Sequence, residues 1–530
     1  MLLAVIKKEI RGHVVSARYV ICTVILLVLA ILSAWVGTTD YVLRMERYQN
    51  HLEDEKVERE SLLVYSYLEP MLSRQPEPLS VLERGFEGRL ASEVPISIYE
   101  IPLRPQEEAR GNAYLGSLRS LDFTMLVRLV LGLLALLLTF NAINEEKANG
   151  NLRFVLAQGV SRKLLLTGKL LGAFVALLAP LLLSLGVSVW ILHVQGSVPL
   201  DPTLWRRLLA LILAYLAYLV LMVLLGLLLS LRSERTSSAL VLSLLAWLLI
   251  VFLIPQSAVA VASGWTQEVC GPQVLKRHLD EVRRQRGQEV AELNTRFPIF
   301  NDGAHRPPVL LLDDRRVRFR FGSAAYYDAR ASYFQEETRI GMAYANEIYK
   351  IRRECGAAVE NAERTANLLA SFSPAFLLER LAESFAATSA ADFDRFYEEC
   401  RAYRETLIEY LREQEIFRSW QWFTDDVEPY PWTSFLGVAD PSTLRPEEAR
   451  ALFTQFHTPE IQKQVRLREE NYNNNPSRRL NLDDLPELQR RKLGVGEQAL
   501  RVRGEILGLF LLSCFLTGVV FLDFERYGLG

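Results

Sequence analysis

Residues 208 to 231 read LLALILAYLAYLVLMVLLGLLLSL, a run without a single charged side chain. Crossing a bilayer takes about 20 apolar residues at 1.5 Å rise each, so this stretch is long enough to span one. Working outward from it, comparable apolar runs lie at Tyr19 to Val36, Phe123 to Ile143, Leu170 to Val194, Ala239 to Ala262 and Ile506 to Leu522. The sequence therefore predicts an α-helical polytopic membrane protein with six transmembrane helices. Two long insertions, residues 37–122 and 263–503, interrupt the spans. They predict a mainly helical extracytoplasmic domain with a minor β component.

The charged remainder offsets these runs. Half of the 530 residues are apolar, yet mean hydropathy is only +0.11. Sixty basic and 62 acidic residues leave a formal charge of −2, so no global field recruits nucleic acid or an acidic polymer. The six histidines are scattered, with no HExxH or CxxC spacing, and no metal site is predicted. Cys22 and Cys514 fall in apolar runs and read as small core residues. Cys270, Cys355 and Cys400 lie in the second insertion; an oxidising compartment would let one pair form a disulfide, and the alternative is three unpaired thiols.

Lys7, Lys8 and Arg11 precede the first run, as in a secretory signal peptide, but the later spans favour a retained anchor. Residues 1–18 read as an amphipathic interfacial helix. Lys147, Arg153, Arg162, Lys163 and Lys169 between spans 2 and 3, and Arg232 and Arg235 between spans 4 and 5, share a side with the amino terminus. The enrichment of Lys and Arg in cytoplasmic loops places that side in the cytoplasm, together with the tail 523–530. Arg206, Arg207, Arg501 and Arg503 run against this rule and are expected to snorkel toward headgroups. Arg128, within span 2, is expected to do the same, since full burial in lipid would cost about 2.5 to 3.5 kcal/mol.

In the first insertion, Asp40 to Tyr67 extends the helical pattern of span 1, and Val94 to Ile101 reads as a short strand after several prolines. In the second, Gln273 to Asn294 and Tyr326 to Leu369 are long, charged and free of proline, as in a stalk or bundle. Between them, Val317, Phe319 and Phe321 alternate after Pro298, Pro307 and Pro308, which predicts a strand or hairpin. Ser373-Pro374 has the form of a helix start, with Ser as cap and Pro in the first turn, and a further helix runs from Ala391 to Phe417. The aromatic cluster Trp420, Trp422, Phe423, Tyr430, Trp432 and Phe435 is expected to pack rather than bind a ligand. Asn471 to Pro476 is a loop by composition. Pro180 and Pro255 should bend spans 3 and 5, serving bundle shape ahead of gating.

The connection between spans 2 and 3, residues 144–169, is the most patterned: NEEKANGNLRFVLAQGVSRKLLLTGK. Leu152, Val155 and Leu156 fall on one helical face, Gly159 can stop that helix, and Ser161 can cap the next one. The result is a helical elbow at the membrane surface, able to carry a push from a soluble partner into the spans.

At these residues the chain resembles the ABC-2 type permease family, whose members carry a Glu-rich, Gly-Thr-Leu-like segment, a Val-Ser-Arg turn and a Gly-Lys lead-in to the third span. Here the segments read EEKANGNL and GVSRKLLLTGK, with Asn151 in place of the commoner Thr. The amphipathic stretch Leu2 to Arg18, the six spans and the Ser373-Pro374 helix before a late sixth span extend the likeness to the subgroup with large extracytoplasmic insertions.

The resemblance implies a dimerising permease, homodimeric or paired with a related chain, in the inner (plasma) membrane. It implies that the elbow docks on a separate ABC ATPase through Glu145, Glu146, Gly150, Leu152, Leu156, Gly159, Val160, Ser161, Arg162 and Lys169. ATP and Mg would belong to that partner, because no GxxxxGK[ST] occurs in this chain. No cofactor of its own and no catalytic activity are expected, and its other partner is the lipid bilayer. Two functions follow: an ATP-driven exporter, or a mechanotransmission subunit that drives an extracytoplasmic partner without moving a substrate through the spans. A membrane-embedded enzyme would need paired ionisable groups inside the spans, where only Arg128 and His193 occur.

Overall fold

The computed structural model describes residues 2–104, 122–158, 160–196, 198, 201–266, 272–297, 309–312, 315–318, 324–424, 479–488 and 493–526, with scattered positions between 445 and 470. Among these residues, six helices are long and apolar enough to cross a membrane: Ala17–Ser61, Phe123–Ala148, Arg162–Gly196, Pro202–Arg232, Thr236–Ala262 and Arg503–Arg526. The chain is an α-helical polytopic membrane protein.

Helix α1 (Leu2–Val14) precedes α2 (Ala17–Ser61), which Ser16 caps by accepting the Tyr19 N–H. The charged stretch after the apolar run prolongs α2 well beyond the membrane-spanning length, aided by the i,i+4 pairs Arg44–Asp40 and Arg59–Glu55. Span 2 opens at Asp122, whose carboxylate accepts the Met125 N–H at 2.8 Å. It then runs through α3 (Phe123–Leu126), a π turn (Val127–Leu131) and α4 (Gly132–Thr139). Span 3 is α7 (Arg162–Gly196), and span 4 is α8 (Pro202–Arg232). Span 5 is α9 (Thr236–Leu248), a second π turn (Leu249–Leu253) and α10 (Ile254–Thr266), and span 6 is α16 (Arg503–Arg526).

Spans 2 and 4 form the centre. The most apolar window of span 2 is 72% buried, against 17% in span 5 and 11% in span 6, whose outer faces are left for lipid or a second chain. The centre is pinned by hydroxyls: Tyr218 donates to the Arg128 carbonyl at 3.0 Å, and Tyr215 lies 2.8 Å from the Thr124 hydroxyl. Each tyrosine is fully buried and needs such a partner.

At the end remote from α1, the two insertions build one body. Strands β1 (Met71–Ser73) and β2 (Glu93–Pro95) pair antiparallel, with Leu72 opposite Val94. Their side chains share a core with α14 (Ala390–Glu413), in which Leu72 and Ile96 join Phe396, Cys400, Leu407 and Trp422. Sequence periodicity shows each insertion separately; their common core is a long-range relationship that no local pattern carries. Helices α11 (Pro272–Arg296) and α12 (Ala324–Ala370) make a tall hairpin, with strands β3 (Val309–Leu312) and β4 (Arg315–Arg318) antiparallel between them. Phe319, Phe321, Pro298, Pro307 and Pro308 lie outside the described residues.

Ser373 caps α13 (Pro374–Ala386), an apolar helix wedged against spans 4 and 6. The residues just past its end hold the first insertion. Arg74 reaches the Ala387 carbonyl at 2.5 Å and Glu87 at 2.9 Å, and the Phe86 N–H donates to the Thr388 carbonyl at 2.9 Å. Chain return to the membrane is through α15 (Val495–Arg501).

Several basic residues behave differently from the snorkelling expected of them. Arg207 is 7% exposed and pairs with Glu77 at 2.9 Å. Arg501 lies 3.6 Å from Asp392, and Arg128 is held by Glu379 of α13. In each case a carboxylate from an insertion meets the cation, so these arginines are not free loop charges and weigh little in the orientation rule. Trp422 donates to Thr338 at 3.0 Å and Phe423 stacks on Phe334 at 4.9 Å; both are packing contacts. Tyr430, Trp432, Phe435 and Asn471 to Pro476 lie outside the described residues. Cys355 is disulfide-bonded, Cys22 and Cys514 are free thiols, Cys400 is buried in the core of the insertions, and Cys270 lies outside the described residues.

Candidate coupling site

The elbow is two short helices, α5 (Asn144–Ala148) and α6 (Asn151–Ala157), where the sequence pattern suggests one. Gly150 makes the break: its φ of +71° lies in the left-handed region that glycine enters without steric cost. Ser161 then caps the start of α7, its hydroxyl accepting the Leu164 N–H at 3.3 Å.

Neighbouring span ends fix the elbow in place. Ser230 of α8, fully buried, accepts the N–H groups of Ile143 at 3.0 Å and Asn144 at 3.2 Å. It satisfies two of the amides that a helix start leaves without an intrahelical acceptor. Lys147 donates to the Leu231 carbonyl at 2.7 Å, placing a cation at the carboxyl end of α8, where the helix dipole favours it. Arg162 donates to the Glu525 carbonyl at 2.6 Å, and Lys163 pairs with the Glu525 carboxylate at 3.1 Å, so the lead-in to span 3 is tied to the end of span 6.

The residues predicted to dock a partner divide into two sets. Glu145, Gly150 and Ser161 are exposed. Leu152 is 1% exposed and anchors α6 in the bundle core, with Val160 half-buried against it. Lys169 is 3% exposed and faces inward, bridging Glu9 of α1 and Glu146 of α5. Gly159 and the side chain of Leu156 lie outside the described residues. Phe154 was not among the predicted residues, and it is 66% exposed on α6. Its signal in the sequence was an aromatic ring one residue off the Leu152/Val155 face of a surface helix.

Burial holds the His13 pKa below its ordinary value against the pull of Glu9, with Lys169 and Arg18 acting in the same sense as burial. The elbow therefore presents a small outward face with an aromatic ring and a carboxylate, on helices tethered to spans 3, 4 and 6.

The family model of the ABC-2 family transporter proteins matches residues 3–301. The chain belongs to that family. The match takes in α1, spans 1 to 5, the elbow and the first arm of the tall hairpin. No curated protein matches the chain. Membership makes this ABC-2 protein a membrane permease subunit of an ABC transporter, and one that associates with an ABC ATPase.

Proposed function

We propose that this ABC-2 protein is the permease of an ATP-driven exporter of the inner (plasma) membrane, coupled through residues 144–169 to a separate ATPase that binds ATP and Mg. The carrying observation is the tethered elbow, with Phe154 and Glu145 facing outward and Ser230, Lys147 and Arg162 fixing the helices to span ends. The elbow and both termini are cytoplasmic in this reading, and the two insertions face outward. A disulfide at Cys355 supports that placement, because such bonds persist in oxidising compartments. The weakly buried spans 5 and 6 supply the surface for a second copy or a related permease.

A second reading, mechanotransmission, is favoured by α12. At 1.5 Å per residue its 47 residues reach about 70 Å. It packs directly along α10, the outer end of span 5. Movement of span 5 would swing this arm against an extracytoplasmic partner.

Purification of the tagged chain from its native host tests the proposal. A P-loop ATPase should co-purify, and its association or stimulated activity should be lost when the segment from Val160 to Arg162 is replaced. A well-folded chain that never associates with an ATPase overturns it. Cargo accumulation in inside-out vesicles separates the two readings: ATP-dependent uptake supports export, and ATP turnover with movement of α12 but no uptake supports mechanotransmission.

A further inference from the structure

The amino-terminal helix, the elbow and the start of span 3 meet at one buried ammonium. Lys169 Nζ lies 3.1 Å from Glu9 Oε1 and 2.9 Å from Glu146 Oε1. From the rim, Lys8 approaches Glu146 at 3.4 Å, and His13 stands 3.9 Å from Glu9. Lys169 is flanked by glycines in the sequence GKLLG, residues 168–172. A Cβ on Gly168 would come within 2.6 Å of Val5, and one on Gly172 within 2.6 Å of Glu9. The glycines thus let α1 lie close against α7, as small residues do at membrane helix contacts. Such proximity keeps water from the ammonium and leaves the two carboxylates as its partners.

A lysine this buried cannot itself touch a docking protein. Removing its charge would leave the half-buried Glu9 and Glu146 facing one another, with only the rim groups Lys8 and His13 to offset them.

We propose that Lys169 is a positioning residue for coupling: it clamps Glu146 of the elbow to Glu9 of α1, so that α1, α5 and α7 move as one body when the elbow is pushed. This rests on the elbow being the ATPase contact. It adds that the stroke is delivered to α1 and span 3 together, through one ion triad. A general structural ion pair would predict lost stability alone; a clamp predicts lost transmission in a protein that still assembles.

The test uses the full chain with its co-purified ATPase in nanodiscs. Spin labels on cysteines at Lys7 and Asn151, with Cys22 and Cys514 replaced, report the separation of α1 and the elbow. In Lys169→Met the distance distribution is expected to broaden, and ATP turnover to fall about tenfold, the size of a typical coupling free energy. The KM for ATP and the yield of complex should stay unchanged. Lys169→Arg should restore both distance and turnover, since a guanidinium can also bridge two carboxylates. A wild-type distance distribution in Lys169→Met overturns the clamp, and a broadened one with wild-type turnover overturns its role in coupling. Should Lys169→Met fail to reach the membrane, Glu146→Gln removes one arm and is read by the same two criteria. If no ATPase co-purifies, the coupling role falls with the proposed function, while the distance in the isolated chain still reports whether the clamp exists.

Discussion

Ser373 donates its hydroxyl to the main-chain carbonyl of Ile250 at 2.6 Å. In the π turn of span 5 the Ile254 N–H is taken by Leu249, and the following residue, Pro255, has no N–H to offer. The Ile250 carbonyl is thus orphaned inside its own helix, and the cap of α13 satisfies it. Pro180 in span 3 is served in the same way, with Tyr19 donating at 3.0 Å to the Ala176 carbonyl four residues earlier. Both prolines are docking points between segments. Ser373→Ala should lose the latch and the cap on Phe376 together, about 2 to 3 kcal/mol in all. Hydrogen exchange in residues 374–386 should rise in that variant; unchanged protection there would contradict the latch.

A cluster of acids where the first insertion meets α13 gives a pH dependence with a definite sign. Burial raises the Glu383 pKa to about 7 against Arg380 and Arg89, with Glu379 adding to the rise. Burial likewise raises Asp122 to about 6 against the Met125 amide and Arg128, and lifts Glu83 well above its ordinary value with help from neighbouring carboxylates. The folded state holds protons that the unfolded chain releases near pH 4, so this stabilisation is complete below about pH 4 and is lost as pH rises through about 7. Glu383→Gln should therefore gain Tm relative to wild type between pH 5 and pH 8. A Tm difference that does not vary with pH would refute the assignment.

Arg128 and Glu379 form a part-buried pair at the Asp122 end of span 2, with side chains 12% and 18% exposed. Breaking such a pair from one side strands a charge, at a cost of about 3 to 5 kcal/mol when burial is complete. Arg128→Met should approach that loss. The double replacement Arg128→Met with Glu379→Leu should recover most of it, because apolar residues of similar volume fill the site without a desolvation penalty. Thermal unfolding of the three variants in one detergent decides it, and additive losses would mean that the two side chains do not interact.

Much of this architecture was legible because it is local. The apolar runs, the Ser373-Pro374 cap and the proline-free arms of the hairpin each announce themselves within a few turns of helix. The family likeness was carried by the elbow for the same reason. Hidden from the sequence were relationships between distant segments: Glu77 with Arg207, Glu379 with Arg128, and Leu72 in one core with Leu407. The elbow's charges illustrate the difference. Glu146 and Lys169 look like surface docking residues in a patterned loop, yet they face one another, and Lys169 is also held by Glu9 of α1, a partner that periodicity cannot point to.

Phe154 is the residue on which the docking proposal turns. Its ring is 66% exposed on a helix whose neighbours Leu152 and Val155 are packed into the bundle. Aromatic anchors at the centre of an interface typically cost about 2 kcal/mol or more when truncated, a factor of roughly 30 in affinity. Phe154→Ala should weaken ATPase binding by about that factor in a titration with detergent-purified components. Leu152→Ala should act differently, lowering Tm through lost core packing, about 2 to 5 kcal/mol for a buried leucine. Wild-type ATPase affinity in a folded Phe154→Ala chain would move the contact off α6, to the exposed predicted positions Glu145, Gly150 and Ser161.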